Sequence, residues 1–319
     1  MVDLKIQLPD SFFQEEVLDG HLVSAEKKEL WAVQLDLLCE LDRVCKKHNI
    51  KYVLDFGTLL GAIRHKGFIP WDEDIDVSML REDYDRFLKV GVQEFKHPYF
   101  LQTYESDPAC DGGVTRICRS DTTFIQGGGV LYRTKCNLGI HIDVFVFDNV
   151  PDNDIAKVRS IHYECNKIFF RGVFVLAHPL SLRYGKKLPE MFVRYVYAKI
   201  KYGSLINANK QIHDLAIKYD DSGYVSCLIT PIDTWCRSKE SFEKTILVPF
   251  ENILFPAPAD YDDVLKQYYG DYMKPVKDTK WKVWMFDTNR PYTEVIKEKN
   301  FYKNLLAKLG LDRNGNKIS

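Results

Sequence analysis

Residues 68–80 read FIPWDEDIDVSML and place four acidic residues within five consecutive positions. The four are Asp72, Glu73, Asp74 and Asp76. A strand projects successive side chains to opposite faces, so the three aspartates are expected on one face, while Ile75 and Val77 anchor the other face in the core. Neighbouring side chains on one face lie roughly 7 Å apart, close enough for the carboxylates to oppose one another's ionisation. A bound divalent cation would relieve that repulsion.

Asp74 and Asp76 are the candidate metal ligands in this segment, and Asp72 and Glu73 are candidates to orient them from behind. Carboxylate oxygens suit Mg²⁺ or Mn²⁺, which keep several water ligands and bridge to substrate phosphates. The alternative is a solvated acidic edge or turn, because a short Asp-x-Asp pattern often occurs by chance. The residues before and after the acids must decide between these interpretations.

A glycine and a threonine precede the acids at a predicted strand-to-helix turn. Gly57 and Thr58 follow the predicted strand KYVLDF, and the backbone N–H groups and hydroxyl of such a turn can bind phosphate. Arg64, His65 and Lys66 form a cationic group just beyond, and they are further candidates to bind a substrate phosphate. A solvated helix end is the alternative, since cations are favourable there without any ligand.

A further acid, Asp143, interrupts the apolar strand GIHIDVFVFD. Alternation puts it on one face with His141 and two phenylalanines, while four Ile and Val residues occupy the other face. Burying a carboxylate costs several kcal/mol unless it is paired or binds a metal ion. Asp143 is therefore either a third metal ligand or the partner of an arginine such as Arg116 or Arg119. Those two arginines are three residues apart on a strand, so at most one should reach a phosphate.

The order of a Gly-Thr turn, an Asp-x-Asp strand and a third strand acid resembles the layout of the nucleotidyltransferase superfamily. The segment DFGTLLGAIRHKGFIPWDEDIDV, residues 55–77, resembles the signature of the LicD family, which fukutin and fukutin-related protein share. The segment LFPAPADYDDVLKQYYGDYM, residues 254–273, resembles the closing segment of that family. Its matching positions are Pro256, Tyr261, Leu265, Tyr269, Gly270 and Tyr272. The resemblance extends over roughly residues 30–273 and makes a catalytic role the favoured interpretation.

The resemblance implies an α/β (α+β) fold, with a nucleotidyltransferase-like mixed β-sheet flanked by helices and a largely helical C-terminal region. We expect a catalytic core at residues 1–150 and an acceptor-side region at residues 151–319, because helical patterns predominate after Pro151. The implied reaction is Mg²⁺-dependent transfer of a phospho-alcohol, such as phosphocholine, from a CDP-linked donor to a sugar hydroxyl of a surface glycan. CMP would be released, and CDP-choline is the first choice of donor.

The same resemblance implies roles for the site residues. Asp74 and Asp76 would hold Mg²⁺ against the donor diphosphate, and Asp143 would be the third ligand and a candidate general base. The donor-binding candidates are Gly57, Thr58, Arg64, His65, Lys66 and Arg116. Two other functions stay open, namely nucleotidyl transfer with release of pyrophosphate and a non-catalytic module that binds a glycan or a nucleotide.

Composition limits the partners and the location. The 44 Lys and Arg residues nearly balance the 45 Asp and Glu residues, so no basic field favours nucleic acid. Eight scattered cysteines and an N-terminus unlike a signal peptide favour a reducing cytoplasm. A zinc site at Cys110, Cys118 and Cys136 is an alternative, although their spacing fits no standard pattern. No apolar run approaches the roughly 20 residues that span a bilayer.

Three further segments carry predictions. The basic and aromatic segment 181–203 either rests on an anionic membrane that carries a lipid-linked saccharide acceptor or, as the favoured alternative, is a surface helix with its apolar side in the core. The glycines at 127–129 predict either a mobile hairpin or loop near the site or a plain surface loop. A choline-like donor would need an aromatic cage, and Trp281 and Trp284 are candidates for it or for the core.

Overall fold

A mixed β-sheet with helices on its faces forms the centre of the protein, which confirms the predicted α/β class. The computed structural model describes residues 1–110, 113–126, 135–178, 187–229, 235–275, 284–308 and 310. The glycines at 127–129, Arg183, Lys186 and Trp281 lie outside these residues, as does the side chain of Trp284. The loop and the aromatic cage assigned to some of them stay predictions.

The helices and strands follow one another in mixed order along the chain. The strands are β1 (Glu16–Leu18), β2 (His21–Val23), β3 (Val53–Leu54), β4 (Asp76–Leu80), β5 (Tyr99–Gln102), β6 (Thr115–Arg119), β7 (Thr123–Gln126), β8 (Ile140–Asn149), β9 (Tyr224–Ser226), β10 (Arg237–Ser238), β11 (Thr245–Phe250), β12 (Ile253–Pro258) and β13 (Trp284–Asp287). The helices are α1 (Ala25–His48), α2 (Phe56–Arg64), α3 (Arg81–Glu94), α4 (Ile155–Ile168), α5 (Phe174–Ala177), α6 (Leu188–Tyr202), α7 (Leu205–Ala216), α8 (Glu240–Glu243), α9 (Tyr261–Tyr269), α10 (Tyr292–Val295) and α11 (Phe301–Lys308). A π-helical segment, Phe169–Val173, joins α4 to α5.

Within the described residues, seven strands form the central sheet around the long strand β8. β4 runs parallel to β8, whereas β6 and β9 pair antiparallel with it. β3 lies beyond β4, β10 lies beyond β9, and β5 lies beyond β6. Since β9 and β10 come from the second half of the chain, both halves build this sheet, and the domain boundary at residue 150 stays a prediction.

Helix α1 is the central helix rather than a half-exposed one. It begins after Ser24, whose side chain accepts a hydrogen bond from the Lys27 N–H, and it ends at Asn49 in a left-handed conformation. The helix predicted from residue 24 to 47 is confirmed, but it is not simply amphipathic, since it contacts β6, β8 and α3 and buries residues around most of its circumference. Buried polar residues, Gln34 and Asp36 among them, therefore need partners inside the protein.

Two local expectations near the acidic segment were wrong. Gly57 and Thr58 lie in the first turn of α2 rather than in a turn before it. The strand predicted to include Asp72 and Asp74 begins only at Asp76, so the segment before β4 is not a regular strand. Alternation therefore does not place the three aspartates on one strand face.

Strand β8 follows the predicted alternation of its two faces. Its Ile and Val residues enter the main hydrophobic cluster, whereas Phe145 and Phe147 pack in a second cluster on the opposite side. Asp143 lies on the side of the phenylalanines, as predicted.

One buried polar network ties α1 to the sheet and to the N-terminal segment. The Asp36 carboxylate accepts hydrogen bonds from Arg119 at 2.8 Å, from the Tyr99 hydroxyl at 2.5 Å and from the backbone N–H groups of Lys5 and Ile6. Both charged side chains are almost fully buried. Arg119 is therefore a buried structural residue. This agrees with the expectation that at most one of Arg116 and Arg119 reaches a phosphate.

The Arg119→Met substitution should lower the free energy of unfolding by about 3–5 kcal/mol, because it leaves the Asp36 carboxylate buried without its charged partner. The matched control, Arg290→Met, removes a half-exposed arginine that pairs with Asp287 and Glu298. It should change stability far less, since water and salt screen those pairs. Urea unfolding measures both changes, and an equal loss in the two variants would contradict the assigned role of the network.

Candidate active site

The connection from β3 to α2 forms one wall of the site. Asp55 caps α2 by accepting a hydrogen bond from the Phe56 N–H at 2.9 Å. Phe56 adopts φ = +46°, a left-handed conformation that is uncommon for a bulky residue. Such a conformation persists only where the surroundings determine it strongly, and it is typical of functional sites.

A buried ion pair holds this connection. Asp55 accepts a hydrogen bond from Arg237 of β10 at 2.7 Å, and both side chains are at most 1% exposed. The Tyr268 hydroxyl lies 3.1 Å from the same guanidinium nitrogen, and the guanidinium stacks over Phe147 and Phe242. A residue 182 positions away thus fixes the cap of α2.

Thr58 and Asp55 together position Asp76 through its backbone. The Thr58 hydroxyl accepts a hydrogen bond from the Asp76 N–H at 2.8 Å, and the Asp55 N–H donates to the Asp76 carbonyl at 3.1 Å. The Thr58 hydroxyl is buried and aligns Asp76, and its predicted role in binding phosphate stays a prediction. Gly57 lies against Asp72, since a Cβ atom at residue 57 would come within 2.6 Å of the Asp72 carboxylate. A larger residue at position 57 would therefore displace the Asp72 carboxylate from its present position.

Helix α1 supports the acidic segment from the other side. The Trp31 indole N–H donates to the Asp72 carbonyl at 3.3 Å, and the Gln34 amide donates to the Glu73 carbonyl at 2.7 Å. One turn earlier, the Lys27 ammonium lies 3.7 Å from the Glu73 carboxylate. Burial lowers the pKa of Lys27, although Glu73 and Asp72 oppose that effect. The acids therefore face a cation that the local sequence does not reveal.

Asp76 and Asp143 are direct neighbours on the parallel strands β4 and β8. The Asp143 N–H also donates to the Ile75 carbonyl at 2.9 Å, which fixes the register of the two strands. The Asp143 carboxylate accepts a hydrogen bond from Arg116 of β6 at 3.0 Å, so the arginine alternative for this acid is realised. Arg116 thus lies at the acids, where the sequence also placed a phosphate ligand.

Two residues beside the acids were not predicted as site residues. His141 lies with Nε2 at 4.0 Å from the Asp143 carboxylate and Nδ1 at 3.1 Å from the Gly139 carbonyl. Burial, followed by the charge of Arg116, lowers the pKa of His141 to about 4, so its ring is neutral at pH 7. A carbonyl can only accept, so the proton belongs on Nδ1 and Nε2 presents a lone pair. The strand alternation already placed His141 beside Asp143, and this signal could have identified it.

Tyr269 of α9 is the second of these residues. Burial, followed by the negative charges of Asp76 and Asp55, raises the pKa of its phenol. Asp72 and Asp74 act in the same direction, which brings this tyrosine electrostatically into the acidic cluster. Its matching position in the closing segment was the available signal.

The three basic residues at the C-terminal end of α2, Arg64, His65 and Lys66, have other contacts. Arg64 donates to the Tyr272 carbonyl at 2.7 Å, His65 pairs with Asp19 at 2.8 Å, and Lys66 donates to the Ile63 carbonyl at 3.0 Å. Burial lowers the pKa of His65. The structure therefore gives each of them a structural contact, and their phosphate-binding role stays a prediction.

The described residues agree only in part with the predicted metal sites. Among the described residues, no group of three or more His, Cys, Asp or Glu side chains is spaced to hold a metal ion. This finding includes Cys110, Cys118 and Cys136, so the geometry does not support the zinc alternative. Asp76 and Asp143 are still paired neighbours on adjacent strands, and Mg²⁺ is usually held by one or two carboxylates with substrate phosphates and water. The acids fit an ion that the substrate helps to bind.

Comparison with known proteins identifies a family whose model matches the part of the chain that contains Asp76 and Asp143. Residues 49–177 match the family model described as LicD/FKTN/FKRP, nucleotidyltransferase domain. The lipopolysaccharide cholinephosphotransferase LicD of Haemophilus influenzae is 32% identical over 263 residues, which are 79% of this chain and 94% of that protein. The chain belongs to the LicD family. The predicted family and the predicted enzyme class, a LicD-type transferase, are confirmed.

Other proteins match shorter parts of the chain. The human ribitol 5-phosphate transferase FKRP is 28% identical over 83 residues, 26% of this chain and 17% of that protein. An uncharacterized protein of Rickettsia prowazekii is 37% identical over 127 residues, 40% of this chain and 42% of that protein. The long match with the Haemophilus protein therefore carries most of the relationship.

Replacing Arg237 tests the ion pair behind the site. Arg237→Met should lower the free energy of unfolding by about 3–5 kcal/mol, because Asp55 would remain buried and unpaired. In the double variant Asp55→Asn/Arg237→Met no charge is left unpaired, and part of the loss should be recovered. Denaturant unfolding of both variants measures this, and a double variant no more stable than Arg237→Met would contradict the coupling.

Replacing Thr58 tests the alignment of Asp76. Thr58→Val keeps the shape but leaves the buried Asp76 N–H without its acceptor, which should lower stability by about 1–3 kcal/mol. Misplacement of Asp76 should also slow transfer by about 10- to 100-fold. Thr58→Ser retains the hydroxyl and should keep most activity. Equal activity of the Val and Ser variants would exclude a positioning role for this hydroxyl.

Proposed function

We propose that the protein transfers a phospho-alcohol, phosphocholine in the first instance, from a CDP-linked donor to a sugar hydroxyl of a surface glycan. The side-by-side placement of Asp76 and Asp143 on β4 and β8 is the observation that carries this proposal. The relationship to a lipopolysaccharide cholinephosphotransferase supports a phosphate-containing group as cargo and a glycan as acceptor. FKRP, named as a ribitol 5-phosphate transferase, supports the same general chemistry with another alcohol.

In this proposal Asp74 and Asp76 hold Mg²⁺ or Mn²⁺ together with the diphosphate of the donor. A bound divalent ion would neutralise charge on the bridging oxygens and on the CMP leaving group. Thr58 and Asp55 keep Asp76 in place through its backbone. Asp72 and Glu73 support the segment, since their carbonyls are anchored to α1.

The ion pair of Asp143 and Arg116 is compatible with the site both before and after a donor phosphate binds. With Arg116 at 3.0 Å, the Asp143 carboxylate is compensated before a substrate arrives. A donor phosphate would compete for Arg116, since its fork-like guanidinium matches phosphate oxygens. Asp143 would then become available as a further oxygen ligand or as the base that takes the acceptor proton. Arg116 thereby keeps its predicted role as a phosphate ligand.

The acceptor in this proposal is a glycan or a lipid-linked saccharide. The enzyme would work in the cytoplasm, at the inner face of a membrane. The scattered cysteines support a reducing compartment such as the cytoplasm. Among the described helices, none is both long and apolar enough to cross a bilayer.

The carboxylate role predicts the effect of one isosteric change. Asp76→Asn should reduce transfer by on the order of 10³-fold or more, because the amide cannot replace the charge that holds a divalent ion. The fold should persist, since the Asp76 backbone contacts remain. The matched control is Asp214→Asn on the exposed part of α7, where Asp214 pairs with Lys210. CMP release from CDP-choline with a candidate glycan measures both, and near-normal activity of the Asp76 variant would refute the assignment.

Metal removal gives a second prediction. EDTA should abolish transfer, and added Mg²⁺ or Mn²⁺ should restore it, because the donor diphosphate would otherwise face the acids directly. Asp74→Asn should require a higher Mg²⁺ concentration for any remaining activity. Full activity in EDTA would exclude the metal-assisted reaction.

Products separate this reaction from its alternatives. Release of CMP from CDP-choline supports phospho-alcohol transfer, whereas release of pyrophosphate from CTP with labelling of the acceptor supports nucleotidyl transfer. Binding of nucleotide or glycan without either product would indicate a non-catalytic module.

A further inference from the structure

Helix α6, Leu188–Tyr202, carries two apolar faces rather than one. Its inner face, formed by residues that recur at helical spacing, packs against the main hydrophobic cluster. These residues are Met191, Tyr195, Ala198 and Tyr202. The sequence favoured a surface helix whose apolar side packs in the core. The inner face of α6 confirms this interpretation, but it accounts for only some of the apolar residues of the helix. Phe192, Val196 and Ile200, which are also apolar, are not part of this inner face and are exposed.

The opposite face of α6 is apolar and exposed. Val193, Val196 and Ile200 follow one another at spacings of three and four, and they are 67%, 39% and 81% exposed. Phe192 and Tyr197 flank them and are 54% and 46% exposed. We call these five residues the outer face of α6. A helix that buries one apolar face and presents a second one to solvent is unusual for a surface helix.

The orientation of the helix is fixed, so the outer face cannot simply turn inward. The Tyr202 ring packs on Gly172 so closely that a Cβ atom there would come within 2.9 Å of it. Tyr202 is 3% exposed and Ala198 is fully buried. The outer face is thus held towards solvent by the packing of the inner face.

Basic residues border the outer face on both sides. At 100° per residue, Lys199 falls on one edge, and Arg194 and Lys201 fall on the other. The Lys201 ammonium lies over the Tyr197 ring at 5.7 Å, and Arg194 pairs with Glu190. Three basic residues against one acidic residue give the helix a positive charge. Another cation, Lys187, precedes the helix and is exposed.

We propose that the outer face of α6 lies in the headgroup region of an anionic membrane. Apolar side chains there would enter the boundary of the acyl chains, while lysine and arginine at the edges reach the lipid phosphates. Lysine is depleted from protein interfaces, whereas cations beside an apolar stripe are typical of interfacial helices. The surface lies outside the candidate active site and deepens the proposed function, because it names the part of the protein that would contact the membrane. Its test measures binding alone, so either proposal can fail without the other.

Co-sedimentation of the full chain with vesicles tests the membrane surface. The protein should pellet with mixed phosphatidylcholine and phosphatidylglycerol vesicles at least about tenfold more strongly than with phosphatidylcholine alone, and added salt should weaken binding. Val193→Ser/Ile200→Ser should lose most of this binding while the protein stays folded, because both side chains are exposed. Lys199→Gln/Lys201→Gln should lose the preference for anionic lipid.

The matched control replaces two leucines of β11 and β12, which are also exposed. Leu247 and Leu254 are 62% and 54% exposed, and Leu247→Ser/Leu254→Ser should leave vesicle binding unchanged. Absence of binding to anionic vesicles would overturn the proposal, as would equal binding by the Val193/Ile200 and Leu247/Leu254 variants. Light scattering after gel filtration measures the oligomeric state and so tests whether a second copy of the chain binds the outer face of α6. A dimer that the Val193/Ile200 variant converts to a monomer would assign the face to a second copy and overturn the membrane proposal.

Discussion

The buried pair between Asp55 and Arg237 determines the geometry on which the candidate site depends. Asp55 caps α2, donates its N–H to the Asp76 carbonyl and accepts from Arg237. Because Thr58 accepts the Asp76 N–H from the same helix start, both backbone polar groups of Asp76 are bound by one short segment. A buried ion pair contributes little net stability compared with apolar packing of similar volume. The ion pair of Asp55 and Arg237 instead fixes positions, because it holds Phe56 in its left-handed conformation and keeps Asp76 in place through its backbone.

A second support comes from α1. Trp31 and Gln34 hold the carbonyls of Asp72 and Glu73, so the irregular segment before β4 is anchored where the sheet ladder does not reach it. Buried polar side chains on a central helix would be costly without such partners. The burial of Trp31 and Gln34 on α1 and the irregular course of the acidic segment therefore have a common explanation.

Sequence patterns predicted the elements that depend on local spacing. The bounds of α1, the two faces of β8 and the family signature follow from periodicity and motif, and the structure or the comparisons confirm them. The late start of β4 and the buried hydroxyl of Thr58 were not predicted, because they depend on hydrogen bonds between segments. Arg237 gave no local signal at all, since its partner lies 182 residues away.

Charge balance around the acids explains how they coexist without a substrate. Lys27 faces Glu73 at 3.7 Å, and Arg116 holds Asp143 at 3.0 Å. Such cations offset part of the repulsion among the acids, for which the sequence suggested a bound metal ion and, at Asp143, an arginine partner. A substrate with its own negative phosphates would disturb this balance, because it competes for Arg116 and adds charge beside Asp76. In the proposed function the acids would then require a new cation, which would be a physical reason for a divalent ion to enter with the donor rather than before it.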